Sequence, residues 1–181
     1  MMKRLTNLFA IFAILVSLSI SAVSISAQAP VELEKQVARS ILKIPRYEVF
    51  DHIDFSIDNN GVVTLTGKVR NAINKSDAEG YVKHVKGVTR VINKIELLPL
   101  GSFDEQIRRD LYTTISNAGG LSRYLWTVNP DVRLIVDRGH ITLEGSVYNM
   151  GDYNHMNIVA RSVPGAFSVT NNLKVGGDVV R

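Results

Sequence analysis

Apolar positions along the chain follow two rhythms, period four and period two, and the succession of rhythms occurs twice. Leu33, Val37 and Ile41 recur every fourth residue, as do Ile107, Leu111 and Ile115, a spacing that gives a helix one apolar stripe. The first of these helices is expected to end before Pro45 and the second at Gly119 and Gly120. Strict alternation follows: Ile53, Phe55 and Ile57, then Val63, Leu65 and Val69, against Val132, Leu134 and Val136, then Ile141, Leu143 and Val147. Two alternating runs joined by a glycine-bearing turn predict a β-hairpin, with Gly61 and Gly139 taking the positive φ of a bulged closure. A second helix is expected from the capping-box spacing Ser76-Asp77-Ala78-Glu79, with Ala78, Tyr81, Val82 and Val85 as its buried stripe and Gly87 at its end. Its counterpart carries Met156, Val159, Ala160 and Val163 and ends at Gly165. A last strand alternates Val91, Ile95 and Leu97, matched by Val169, Leu173 and Val175.

The order is therefore α-β-β-α-β, used twice. Gly67 and Gly145 lie 78 residues apart, and the same offset maps Leu65 onto Leu143, Asn71 onto Asn149, Gly87 onto Gly165 and Asn93 onto Asn171. Equal spacing of apolar, glycine and asparagine positions is the mark of a tandem repeat. The fold class is α+β: two modules, each a small three-stranded sheet with two helices packed on one face. A unit of about 70 residues buries too little surface to be comfortable alone, so the copies are expected to dock and hide part of each sheet.

Residues 1–29 have a different character. Lys3 and Arg4 precede an unbroken apolar run from Leu8 to Val16 and then a Ser/Ala-rich tail, the three regions of a cleavable export signal. Cleavage is expected after Ala27, where Pro30 does not obstruct the peptidase; an uncleaved anchor is the competing reading. The mature chain then divides into modules 30–100 and 101–181. It has no cysteine, so disulfides, thiolate metal sites and lipid attachment at a cysteine are all excluded, and packing alone must hold the fold. The expected location is periplasmic or secreted, not as a lipoprotein.

The formal charge of +4 includes Lys3 and Arg4. Residues 30–100 hold 11 Lys/Arg against 9 Asp/Glu and residues 101–181 hold 8 of each, so attraction to anionic surfaces is mild. No basic run or aromatic strand points to nucleic acid. Nor is there a catalytic constellation: His52, His84, His140 and His155 form no i+3 or i+4 pair, and G-x-S-x-G elbows and phosphate-cradling glycine loops are missing. The chain is expected to be no enzyme, and to need no cofactor or metal.

The run from Gly61 to Val69, GVVTLTGKV, with GVTRVIN from Gly87 to Asn93, resembles the BON domain, the bacterial OsmY and nodulation family. Gly139 to Val147, GHITLEGSV, repeats it, while VPGAFSVTN from Val163 to Asn171 departs at Ala166 and Phe167. The resemblance implies α-β-β-α-β modules of the bacterial envelope without catalytic residues, associated with phospholipid binding and with envelope integrity under osmotic or other stress. Mid-strand Gly67 and Gly145 are expected to permit a bulge or the close approach of a helix, a structural role.

The copies differ most in one loop. Between Ile41 and Ile53 lie 11 residues, between Ile115 and Val132 there are 16, and the longer loop carries Arg123, Tyr124 and the single tryptophan, Trp126. Large rings beside a cation suit a membrane interface, where Arg meets phosphate. Tyr148, Met150 and Tyr153 are candidates to extend the patch. Equally, Trp126 could fold back to cap a small core. The expected partner is an anionic phospholipid or membrane surface, with docking of another envelope protein as the alternative.

Overall fold

The computed structural model describes residues 28–126 and 128–176. The export signal and its cleavage points before Gln28 lie outside the described residues. Helix α1 (Gln28–Ile41) is followed by strands β1 (His52–Ile57) and β2 (Val62–Val69), helix α2 (Ala72–Lys83) and strands β3 (Arg90–Asn93) and β4 (Glu96–Leu97). The second module repeats this as α3 (Ser102–Asn117), β5 (Val132–Asp137), β6 (His140–Val147), α4 (Met150–Arg161), β7 (Ser168–Asn171) and β8 (Lys174–Val175). Among the described residues no helix is long and apolar enough to cross a membrane.

In each module the long middle strand is central. β1 pairs antiparallel with β2 on one side, and β3 and β4 pair parallel with β2 on the other; β5, β6, β7 and β8 repeat the arrangement. The apolar half of the alternation faces the helices. Val63, Leu65 and Val69 on β2 and Ile53 on β1 are buried with Val37 and Ile41 of α1 and Ala78 and Val82 of α2. In the second module Ile141, Leu143, Val147, Val132, Leu134 and Val136 are buried with Ile107, Leu111, Ile115, Met156 and Ala160.

Several local expectations need correction. The capping box at Ser76 is not used: α2 begins at Ala72, capped by Asn71, whose side chain accepts from the Ile73 N–H, and α4 begins at Met150 under Asn149 in the same way, accepting from the Asp152 N–H. Short local asparagine caps win because β2 and β6 deliver the chain directly into the helix. Tyr81, assigned to the buried stripe, is exposed. Gly87 and Gly165 do not end their helices, which stop at Lys83 and Arg161; they occupy the following turn with positive φ, where Leu33 of α1 and Ile107 of α3 pass close by. The second hairpin is not bulged: Asp137 pairs with His140 across Arg138 and Gly139, both with positive φ, the signature of a two-residue primed turn.

The third strand also departs from simple alternation, because it breaks between β3 and β4. Asn93 sits at the break; its carboxamide oxygen accepts from the Ile95 N–H while its amide donates to the Lys75 carbonyl of α2. Asn171 makes the same pair of contacts with Leu173 and Tyr153. The kink shifts the phase by one residue, so Ile95 and Leu98 are buried whereas Leu97 and Val175 are exposed. At Gly67 and Gly145, φ is +109° and +113°, and it is no helix that approaches: a Cβ there would collide with the carbonyl oxygens of His52, the first residue of β1, and of Asp131, the residue before β5. The departure at Ala166 and Phe167 leaves the backbone unaltered, since Phe167 N–H donates to Gly139 as Thr89 N–H does to Gly61.

The modules dock, and unequally. β5 is buried on both faces: Arg133 and Ile135, on the side away from its own helices, are each 5% exposed. Arg133 donates to the Glu48 carbonyl at 2.9 Å and its guanidinium lies 4.1 Å from the Tyr47 ring centroid. The Leu134 N–H at the sheet edge donates to the Val49 carbonyl at 2.8 Å, and Lys68 pairs with Asp137. Arg70 reaches Glu105 of α3 at 3.0 Å, and buried Arg108 of α3 donates to the carbonyls of Pro99 in the linker and Val136 in β5. A cleft of about 470 Å³ remains between the sheets, lined by residues including His52, Lys68, Asp137, His140 and Glu144.

Candidate functional site

The inserted loop of the second module is where the copies part, and its sequence shows why it takes the shape it does. Gly120, with φ of +82°, turns the chain off α3 into a single 3-10 turn, Leu121–Tyr124. Leu121, Tyr124 and Leu125 point inward and join the module's core. The inserted residues thus cap that core, but by Tyr124 and the leucines. Trp126 is not the cap: it is 68% exposed.

Tyr124 is fully buried, so its assignment to a lipid-contacting set is corrected; its hydroxyl serves as an internal latch. It donates to Asp152 Oδ2 at 2.6 Å and accepts from the Tyr148 N–H at 3.0 Å, joining the loop to the β6–α4 junction. Burial, followed by that bond to Asp152, pushes the phenol above its ordinary pKa, and the same bond holds the Asp152 carboxyl below the usual carboxylate range. Arg123 closes the cluster. It binds Asp152 Oδ2 at 2.5 Å, and its guanidinium lies 4.8 Å from the Tyr124 ring centroid and 5.8 Å from that of Tyr148. Arg123 is thereby spoken for by a carboxylate and is not a free anion hook. Tyr153 is half-buried against the core, its hydroxyl donating to the Asn171 carbonyl at 3.5 Å, and is likewise not part of an open surface.

What stands outside this scaffold is apolar. Trp126, Val128 (92% exposed), Tyr148 and Met150 are all exposed large hydrophobics flanking the latch. Sequence reasoning named Trp126, Tyr148 and Met150 but missed Val128, which carries no signal beyond its position two residues past the tryptophan. The six motif glycines, Gly61, Gly67, Gly87, Gly139, Gly145 and Gly165, all have positive φ and lie in turns or against paired backbone, away from this surface.

The first module solves the same junction with the polarity inverted. There Asp51, 1% exposed, accepts from the Arg70 N–H at 2.7 Å and from the Asn74 amide at 2.7 Å. Arg70 and Asn74 correspond by the repeat offset to Tyr148 and Asp152. A carboxylate accepting from an amide in one module replaces a phenol donating to a carboxylate in the other. Among the described residues no counterpart of Arg123 or Trp126 covers this junction, and a pocket of about 490 Å³ lies there instead.

The BON domain family model matches residues 31–99 and again 103–177. No curated protein matches the chain. Two solved structures of CdsD, a structural protein of the type III secretion system of Chlamydia trachomatis, are similar at 14% and 15% identity. They cover 80% and 82% of this chain and 92% and 98% of theirs, each with a TM-score of 0.32, values too low to transfer anything from those chains to this one. Two matches in register, on the two halves that the repeat defines, place the protein in the BON domain family, with one BON domain in each half.

Proposed function

We propose that the protein is a non-catalytic, exported component of the bacterial envelope that binds phospholipid surfaces through its second BON domain, in support of envelope integrity under stress. Family membership suggests association with the envelope and carries no expectation of catalytic residues. The observation that carries the lipid reading is the exposure of Trp126 and Val128, on a loop whose neighbours Leu121, Tyr124 and Leu125 are locked in the core, and of Tyr148 and Met150 at the β6–α4 junction that Tyr124 ties to that loop. A rigid pedestal under amphipathic rings suits the headgroup region, where burying a ring costs little ordering entropy. Because Asp152 already neutralises Arg123, ring burial rather than charge should dominate, and added salt should weaken binding only slightly.

Co-sedimentation with phosphatidylcholine/phosphatidylglycerol vesicles is the test. Trp126→Ala should lower partitioning by roughly tenfold or more while leaving thermal stability unchanged, since so exposed a ring contributes little to folding. Trp126 fluorescence should shift to the blue and lose access to aqueous quencher when vesicles are added. Retention of full vesicle binding by Trp126→Ala, or a spectrum that vesicles do not move, would sink the proposal and leave protein docking as the better reading.

A further inference from the structure

The internal interface shows what covers each of its positions, and because the modules repeat, it also marks the outer positions that the same step, taken once more, would cover. Four contacts carry it: Tyr47 lies under the Arg133 guanidinium, the Val49 carbonyl takes the Leu134 N–H, Lys68 pairs with Asp137, and Arg70 with Glu105. In each pair the first residue belongs to the first module and the second to the second. Register sets the correspondence between modules: Ile53 and Val132 face the mid-strand glycines Gly67 and Gly145, while Leu33 and Ile107 pass the turn glycines Gly87 and Gly165. By that correspondence Tyr47, Val49, Lys68 and Arg70 become Trp126, Val128, Ser146 and Tyr148 of the second module. Likewise Arg133, Leu134, Asp137 and Glu105 become Asp54, Phe55, Asp58 and Val31 of the first.

The outer pairs match as the inner ones do. In place of a ring beneath a guanidinium stand Trp126 and Asp54, whose indole N–H and carboxylate are donor and acceptor. In place of Val49 and Leu134 stand the Val128 carbonyl and the Phe55 N–H, which in the single chain turns to the adjacent Asp54 carboxylate. Lys68 and Asp137 give way to a hydroxyl and a carboxylate, Ser146 and Asp58. The fourth exchange changes both partners at once: the oppositely charged Arg70 and Glu105 are replaced by Tyr148 and Val31, both large hydrophobics and each 50% exposed. A change on one side alone would have set a charge against an apolar side chain. Val49 shows the effect of cover, since it packs against the second module's core whereas Val128 stands in solvent. Exposed large hydrophobics thus occupy four of the eight outer positions, Val31 on the first module and Trp126, Val128 and Tyr148 on the second.

We propose that the partner for these surfaces is a second copy of this chain, the outer edge of its β1 receiving Trp126 and Val128 as β5 receives Tyr47 and Val49 within one chain. The contact is heterologous, so it joins copies head to tail. Lipid and a second copy compete for Trp126, Val128 and Tyr148, but Val31 and Asp54 lie on the other half of the contact, outside the membrane patch, and separate the two readings. Sedimentation velocity of the chain lacking its export signal should show a mean mass that rises with protein concentration toward the millimolar range. Combining Val31→Asp with Asp54→Lys should raise the dissociation constant at least about tenfold while vesicle partitioning stays at the wild-type level. Because the chain has no cysteine, Asp54→Cys and Val128→Cys can be joined by a bis-maleimide without background. Mixing these two variants should give a cross-linked dimer that neither gives alone. A chain that stays monomeric throughout, a double variant that associates like wild type, or cross-linking that proceeds as readily in either cysteine variant alone would overturn the proposal. The membrane reading stands or falls separately, on vesicle binding by Trp126→Ala.

Discussion

At Gly145 the backbone φ is +113° and the carbonyl oxygen of Asp131 occupies the place a side chain would need. Two separate penalties then meet any substitution: the left-handed conformation, about 1–2 kcal/mol, and displacement of a paired strand. Gly145→Ala and Gly67→Ala should each lose at least about 2 kcal/mol in urea denaturation. Wild-type midpoints in both would mean that the strand start yields easily. Tyr124 allows a finer test, because removing one oxygen deprives both the Tyr148 N–H and Asp152 of a partner. Tyr124→Phe should cost about 1–3 kcal/mol at neutral pH. Its pH dependence has a definite sign. Asp152 has a lowered folded pKa, chiefly from the Tyr124 hydroxyl, so its stabilisation is present above the ordinary carboxylate value of about 3.9 and is lost as pH falls through the lower folded value. The gap in stability between wild type and Tyr124→Phe should therefore be constant from about pH 7 to 5 and narrow below about pH 4. A gap that stays constant into acid would contradict the latch.

At the scale of elements, periodicity carried most of the fold and local chemistry supplied the errors. The helix stripes and the first two strands of each module were legible because a buried face repeats every 3.6 or every 2 residues whatever surrounds it. Helix starts were less legible. Ser76 satisfies a capping-box pattern, but pattern alone does not say where the preceding strand releases the chain, and the asparagines aligned by the repeat, Asn71 and Asn149, held the better signal. Asn71→Ala should cost about 1 kcal/mol and Ser76→Ala less than about 0.5, a contrast that thermal denaturation of the two variants can resolve. Equal losses would return the cap to Ser76. Asn93 and Asn171 mark the strand break for a similar reason: only a short side chain with both donor and acceptor can close the kink and tie it to the helix behind. Of the candidate site, the inserted loop was legible as a difference in length, and the exposure of Trp126 was consistent with one of the two readings open to it. The burial of Tyr124 was not legible, because it depends on Asp152 and the Tyr148 amide, 28 and 24 residues away.

At the scale of the whole molecule, two small cores become one folding unit through a strand that neither module could bury alone. Arg133 is the residue on which this turns: buried, stacked on Tyr47 and bonded to the Glu48 carbonyl. Arg133→Ala should remove about 1–3 kcal/mol of docking and split a single calorimetric transition into two. The same interface should respond to acid through His52, which lies in the cleft between the sheets. Burial is the main cause that lowers its pKa, opposed by Glu144 and Asp54 and assisted by Arg133 and Lys174. A histidine with a lowered folded pKa is held neutral, so the docked state is at full strength above the ordinary value of about 6.5 and weakens as pH falls below it. Asp137 acts in a separate window, since its bond to Lys68 holds its carboxyl below the usual range and that contribution persists until strongly acid pH. Stability measured from pH 7.5 to 5 should therefore decline in the wild type and stay level in His52→Gln, while Lys68→Met lowers both ends of the range alike. A decline that survives in His52→Gln would assign the acid response to another group and remove the histidine from the account of docking.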